Sequence, residues 1–331
     1  MTPDADLSRD DAPNRGAAGV QRKVPIHLDD HGRYVSLTME FRCNLRCSHC
    51  MIEGTMDRLR PATEADFRAV LDRQRTTGEW EGLILTGSEI TLLRTLPDLA
   101  RQARAAGFRH VRIQTHGMQL SRRDYLLRLL EAGIDEFFIS VAGDTAASHD
   151  RVTTVPGSFD KLLSGIENLE SSGYPIRILT NTVVTRETVG TLRGMIARLS
   201  CFPSIVQHEF WNYFPMRERD DKNLIVPYRE LMPEIIAAIE DCVALGRGVE
   251  VKNVPKCLLG QWQAALVNTQ PMLIIDPDFW TEFDRNGFHS CVYKDQCGAV
   301  DCLGLTEAYV ARLGDERDIL SPLPAGTGVS A

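Results

Sequence analysis

The sequence predicts an α/β protein with a mostly parallel sheet, and three observations predict it. Six strand-like segments alternate with six amphipathic ones between residues 34 and 245. Several of the amphipathic segments stop at a glycine, a common helix terminator. After residue 246 the alternation gives way to short segments that carry four cysteines. Strand–helix units in series imply parallel strands joined by right-handed crossovers. Six units are too few for a closed eight-stranded barrel. An open, curved partial barrel or a doubly wound sheet would fit, and in either the site sits at the carboxyl ends of the strands.

The strand candidates are YVSLTMEF (34–41), GLILTG (82–87), HVRIQTH (110–116), EFFISVA (136–142), IRILTNTVV (176–184) and IVQHEFWNYF (205–214). They are rich in Val, Ile, Leu and Phe, as strands covered on both faces should be. Between them, 64–77, 95–106, 122–132, 158–172, 186–199 and 228–245 repeat apolar residues at three- and four-residue spacing, as in LLRLLEAG. Gly78, Gly107, Gly133 and Gly173 stand at helix stops. In the sixth strand, alternation puts Gln207, Glu209 and Trp211 on one face and His208, Phe210 and Asn212 on the other. Whichever set faces the interior is a candidate substrate surface. Plain packing is the default expectation for Phe210 and Trp211.

Composition narrows the class. With 331 residues, 43% apolar content and a formal net charge of −8, the chain has ample core and lacks the basic balance of a general nucleic-acid binder. No stretch approaches the roughly 18–20 apolar residues of a membrane span. The polar N-terminus has no apolar signal region, so a cytoplasmic location is expected. The reading divides the chain into a disordered tail (1–24), a barrel domain (25–246), a cysteine-bearing extension (247–320) and a second tail (321–331).

A reducing compartment disfavours disulfides among the nine cysteines, and their clustering points to metal. The segment FRCNLRCSHC places Cys43, Cys47 and Cys50 on the loop after the first strand. Three thiolates on a tight loop can ligate three irons of a 4Fe–4S cubane. If no fourth ligand is near, one iron stays open to a ligand, as in open catalytic metal sites. The competing reading is zinc held with His49, although adjacent residues rarely both reach one small ion. Cys257, Cys291, Cys297 and Cys302 form a second group, enough for one further 4Fe–4S cluster. Structural zinc or unliganded thiols are the alternatives there. Cys201 and Cys242 are read as ordinary small hydrophobes, with a hydrogen-donor role as the sharper alternative.

CNLRCSHC resembles the cysteine motif of the radical S-adenosylmethionine (SAM) superfamily. ILTGSEITL resembles that family's "GGE" strand end, at Gly87, Ser88 and Glu89. FFISVAGDTAASHDRVTTVPGSFDKLLSGIENL resembles its fourth-strand region, with Asp150 and Arg151 before a Gly-Ser-Phe turn. These matches run in order over residues 34 to 215.

The resemblance implies a partial (βα)6 TIM-like barrel with a small C-terminal cysteine-rich extension. It also implies a cluster ligated by Cys43, Cys47 and Cys50, with SAM on its open iron. Carried over position by position, Gly87, Ser88 and Glu89 hold the methionine amino group, Ser140 meets the ribose, and Asn181 meets the carboxylate or ribose. The backbone at His49 meets the adenine. Two positions depart from the family pattern. Ser88 replaces a glycine and would be strained if φ were positive, and His116 stands where asparagine is usual, in Thr115-His116-Gly117. Packing is the expectation for His116, with a substrate-facing role as the alternative.

The Cys302-Leu-Gly-Leu…Tyr309…Gly314 tail resembles the auxiliary-cluster extensions called SPASM and twitch, and implies a second 4Fe–4S cluster held by Cys257, Cys291, Cys297 and Cys302. The implied partners are a reductant such as flavodoxin or ferredoxin and a substrate, with no nucleic acid and no membrane. The implied activity is reductive cleavage of SAM to a 5′-deoxyadenosyl radical that abstracts hydrogen from a small molecule, in specialised metabolism. Modification of a ribosomal peptide or protein is the alternative, and an iron–sulfur scaffold or redox sensor the non-enzymatic one.

Overall fold

Alternating apolar strands and one-sided helices assemble around one curled parallel sheet in a computed structural model describing residues 31–52 and 58–324. The tail expected over 1–24, and residues 325–331 of the C-terminal one, lie outside the described residues. The elements run β1 (Tyr34–Glu40), α1 (Glu64–Thr77), β2 (Gly82–Gly87), α2 (Leu96–Ala105), β3 (His110–Thr115), α3 (Arg123–Glu131) and β4 (Glu136–Ser140). They continue through α4 (Ala146–Thr153), α5 (Ser158–Glu170), β5 (Arg177–Val184), α6 (Leu192–Leu199), β6 (Ile205–Asn212), α7 (Tyr228–Ala244) and β7 (Gly248–Lys252). Last come β8 (Met272–Ile274), α8 (Pro277–Phe283) and α9 (Glu307–Leu313). The expected helix over 64–77 is α1 to the residue, fixed by a Thr63–Asp66 capping box and by Gly78 in the left-handed conformation at its end.

All pairs are parallel, in the order β7-β6-β5-β4-β3-β2-β1-β8. The result is a curled half-barrel, so the doubly wound alternative is set aside. Two strands were not foreseen. GVEVK forms β7, which pairs with β6, and three residues form β8 on the outer side of β1. The sheet therefore continues past residue 246. Strands of five and three residues carry too little alternation to stand out from a polar background.

Alternation sorts each strand between two environments. Val35, Leu37, Leu83, Leu85, Val111, Ile113, Phe137, Ile139, Ile178, Phe210 and Val249 pack outward against the helices, with Phe67, Leu71, Leu126, Leu162, Ile196 and Ile235 among their partners in the core. The inner face is polar. At the amino ends of the strands Glu136 accepts from Tyr34 Oη (3.2 Å), Arg112 (2.8 Å) and Arg177, which plugs that end of the barrel. The open seam is crossed by residues 256–275. Val267 N donates to Val251 O (3.0 Å), and His31 reaches Glu250 on β7 (2.9 Å) from in front of β1.

Candidate functional site

The carboxyl ends of the strands surround a cavity of about 470 Å³. The loop after β1 forms one wall, and Cys43, Cys47 and Cys50 all line the cavity. The loop is laced to its neighbours. Arg46 N and Ser48 N donate to Thr153 O and Val152 O at the end of α4 (3.2 and 2.9 Å). Ser48 Oγ donates to Glu187 (2.5 Å), and Lys222 Nζ to Ser48 O (2.9 Å). Arg42 is gripped by Glu40, whose Oε1 accepts its backbone N–H at 2.8 Å. Asp150 explains the Gly-Ser-Phe pattern beside it. Its carboxylate accepts from Gly157 N (2.6 Å), Ser158 Oγ (2.7 Å) and Phe159 N (2.9 Å), capping α5 and fixing the turn on which the thiol loop leans.

Burial, with smaller repulsion among the charged forms, pushes the Cys43 thiol up to about 11 and Cys47 up to about 12. Metal-free thiols here keep their protons, which ligation displaces.

Gly87 is dictated by contact. A Cβ there would stand 1.9 Å from Glu40 O and 2.8 Å from its carbonyl carbon. That close approach lets Ser88 N donate to Glu40 O (2.8 Å) and Ser88 Oγ to Phe41 O (2.8 Å). Ser88 does not adopt a positive φ, so the strain anticipated for it does not arise. The pair clamps the end of β2 onto the start of the thiol loop.

Glu89 is fully buried and lies behind the cavity wall rather than on it. Oε1 accepts from Thr91 N (3.0 Å), Thr91 Oγ1 and Thr115 Oγ1 (2.7 Å), and Oε2 from His116 N (2.9 Å). His116 Nε2 lies 3.0 Å from Glu89 Oε2 and 2.7 Å from Asn44 Oδ1 on the thiol loop, while its Nδ1 faces Met118 N at 3.2 Å. Both ring nitrogens are therefore engaged within the protein, and the His116 side chain also lines the cavity. Burial lowers the His116 pKa, opposed by Glu89, which favours a neutral ring donating from Nε2.

Ser140, Asn181 and His49 also line the cavity. Asn181 Oδ1 and His49 Nδ1 are buried polar atoms with no hydrogen-bond partner among the described residues. An orphan of this kind costs about 1–3 kcal/mol, so each fits a polar ligand group in the cavity. Burial lowers His49 to about 4, so its ring is neutral at pH 7.

The structure adds a wall the sequence reading left unassigned. Trp211 lines the cavity and its Nε1 donates to Glu209 (2.9 Å), so Gln207, Glu209 and Trp211 are the inner set of β6. Phe210 is core, as expected, and Trp211 is not. Lys252, Asn253, Phe214, Phe279, Trp280 and Phe283 complete this wall. The alternation of β6 was the one available signal, for Trp211. Cys201 is exposed and Cys242 is buried in α7, and neither lines the cavity.

Cys257, Cys291, Cys297 and Cys302 are half-buried in the segment after β7. Burial, then the neighbouring thiols, raises Cys257. Backbone N–H groups of Lys256 and Leu323 point at Cys302 Sγ and Cys297 Sγ, each at 3.4 Å. Gly304 has φ +70°, and a Cβ there would press on Cys291 Cβ at 3.1 Å. Among the described residues no group of three or more His, Cys, Asp or Glu side chains is drawn close enough to hold a single metal ion. No helix among them is long and apolar enough to cross a membrane.

The half-barrel thus carries a three-thiol loop at its first strand end and a glycine-clamped second strand end, the arrangement that the resemblance to the radical SAM superfamily implies. The comparisons agree. The radical SAM superfamily profile matches residues 39–199. A GTP 3′,8-cyclase of Geobacter sulfurreducens is 30% identical over 221 residues, 64% of this chain and 66% of that protein. An AdoMet-dependent heme synthase of Oleidesulfovibrio alaskensis is 29% identical over 178 residues, 53% of this chain and 45% of that protein. The chain thus spans about half to two thirds of these curated relatives. The crystal structure of Streptococcus suis SuiB bound to its precursor peptide SuiA superposes with TM-score 0.55 at 14% identity, over 72% of this chain and 52% of that one. Methylornithine synthase (PylB) gives 0.51 at 15% identity, over 75% and 74%. The chain belongs to the radical SAM superfamily, whose fold implies a 4Fe–4S cluster and SAM.

Proposed function

We propose that Cys43, Cys47 and Cys50 ligate the 4Fe–4S cluster and that SAM occupies the same cavity, beside a small-molecule substrate. The observation that carries this reading is convergence. The three thiols, the Gly87–Ser88 clamp, Ser140 and the orphaned atoms of Asn181 and His49 all meet one cavity. When bound, the cluster supplies one electron that splits SAM into methionine and a 5′-deoxyadenosyl radical, which takes a hydrogen atom from the substrate. Backbone around Gly87 and Ser88 meets the methionine amino group, and Glu89 holds that backbone in place through Thr91, Thr115 and His116. Asn181 Oδ1 and Ser140 Oγ meet polar groups of the nucleoside or amino-acid half. Neutral His49 lies against the adenine. The aromatic wall excludes water from the reacting groups.

The small-molecule reading is supported by a cavity walled from within one chain. It is also supported by relatives named as a GTP cyclase and a heme synthase, over part of their length. Likeness to SuiB concerns the fold alone. Cys257, Cys291, Cys297 and Cys302 form the ligand set of an auxiliary 4Fe–4S cluster in the segment after β7, while β7, β8 and α8 complete the catalytic half-barrel and its cavity. A flavodoxin or ferredoxin in the cytoplasm is the fitting reductant.

Anaerobic reconstitution with iron and sulfide, then SAM and dithionite, tests this. The expected result is 5′-deoxyadenosine from the native chain and none from the Cys43→Ala/Cys47→Ala/Cys50→Ala variant. Bound zinc without iron in the native chain would overturn the reading. Iron that falls by half in the triple variant, and by the other half in a Cys257→Ala/Cys291→Ala/Cys297→Ala/Cys302→Ala variant, supports two clusters.

A further inference from the structure

The cavity has two unlike halves. Toward β1–β5 its wall is mixed, with thiols, hydroxyls, amides and imidazoles beside Phe41 and Phe138. Toward β6, β7 and α8 it is aromatic. Phe279, Trp280 and Phe283 turn to the cavity from α8, a helix with no buried residue. Phe283 stacks on Phe214 with centroids 4.6 Å apart, and Phe214 on Phe288 at 4.8 Å. Trp211 stands beside Phe138 at 6.3 Å, half-buried. α8 is held over the cavity by Arg60 N donating to Asp276 (2.7 Å) and Arg58 pairing with Glu282 (3.2 Å). Aromatic rings gathered around a void and left half-covered mark a ligand surface.

Among the described residues lining the cavity, Lys252 is the one lysine, arginine, aspartate or glutamate. It ends β7 and is 1% exposed. Its Nζ donates to Val267 O (2.8 Å) and Glu250 Oε2 (3.2 Å) and sits 5.6 Å from the Trp211 ring centroid. An ammonium has three N–H donors, and the third has no acceptor among the described residues. Glu250 is shared with His31, and Glu209, its neighbour in register on β6, is engaged by Gln207 and Trp211. The carboxylates thus lie on the floor side, and the cation is what the cavity meets.

We propose that this half is the substrate subsite and takes an aromatic carboxylate, its ring against Trp211, Phe214 and Phe283 and its anionic oxygen on Lys252 Nζ. The inference rests on the reading of the cavity as the site of SAM cleavage. A buried, desolvated ammonium pairs strongly with a carboxylate, and a flat ring completes the burial of the aromatic wall.

The test uses the anaerobically reconstituted holoenzyme with SAM, titrated calorimetrically with indole-3-acetate and with indole, the same ring without the carboxylate. Indole-3-acetate is expected to bind about tenfold more tightly, the effect of one well-placed ion pair. In Lys252→Gln that preference disappears while SAM affinity stays within about threefold, and Lys252→Arg restores much of it. Phe283→Ala weakens both probes alike and keeps the preference. Equal binding of the two probes by the native holoenzyme, binding of neither, or loss of SAM affinity in Lys252→Gln would overturn the assignment. Phe283→Ala keeps a test in hand should Lys252→Gln fail to fold, because unchanged affinity for both probes there also overturns it. Formation of 5′-deoxyadenosine by the native chain is scored separately, so failure of the subsite is distinguishable from failure of the cleavage reading.

Discussion

The two halves of the cavity are built on different principles. The β1–β5 half comes from short loops immediately after strands, each fixed through a backbone N–H: Ser88 N to Glu40 O, Ser48 N to Val152 O, His116 N to Glu89 Oε2. The β6–α8 half comes from side chains on β6, β7 and α8 and the loops beside them, with half-covered aromatic faces and one buried cation. The first half is over-determined by the chain itself. The second is completed by what it binds. Chemistry common to a superfamily belongs in the first, and choice of substrate in the second.

The sharpest way to break this contrast is Gly87→Ala. The added Cβ would collide with the Glu40 backbone, not with a side chain that can rotate away. A loss of about 3 kcal/mol is expected, at the upper end for overpacking, together with loss of SAM cleavage. Thermal unfolding and 5′-deoxyadenosine yield check it, and an alanine variant with native melting and activity would show the clamp to be dispensable. Glu89→Gln comes next. It keeps the shape but removes a charged acceptor that serves Thr91, Thr115 and His116, for about 1.5–3 kcal/mol. Its activity is expected to fall further than its stability alone explains, because the loop bearing Asn44 loses its anchor. Asp150→Ala removes the cap of α5 and is expected to cost about 1–2 kcal/mol, read by the same melt.

The legible part of the molecule follows this division. Cys43, Cys47, Cys50 and Gly87 were readable because spacing and backbone approach constrain residue type directly. The six longer strands and their helices were readable because each buries one apolar face over enough residues to show a period. GVEVK was not, because β7 carries Glu250 and Lys252 on its inner face and only two clear apolar positions, Val249 and Val251. Glu89 was legible as a position but not as a brace, since its partners Thr91, Thr115 and His116 arrive from a short turn after β2 and from the end of β3, which sequence spacing does not relate. The α8 aromatics carried no signal at all: a seven-residue helix whose rings face a cavity looks like any polar-flanked turn.

The mildest test concerns the floor under Lys252. Burial, then the charge of Glu250, pushes Glu209 up to about 7, with Lys252, Trp211 and His31 pulling the other way. The folded chain then holds a proton on Glu209 at pH values where the unfolded chain, with a glutamate near 4.3, has released it. Between about pH 4.5 and 7 this group makes the folded state bind more protons, so its contribution to stability falls as pH rises. Buried neutral His208, lowered to about 3, acts in the opposite sense below its unfolded value. The difference between native chain and variant therefore isolates Glu209. Glu209→Gln is expected to remove this decline, seen as a flatter dependence of melting temperature on pH. An unchanged dependence would mean that Glu209 is ionised throughout and that the floor beneath the proposed subsite carries two charges rather than one.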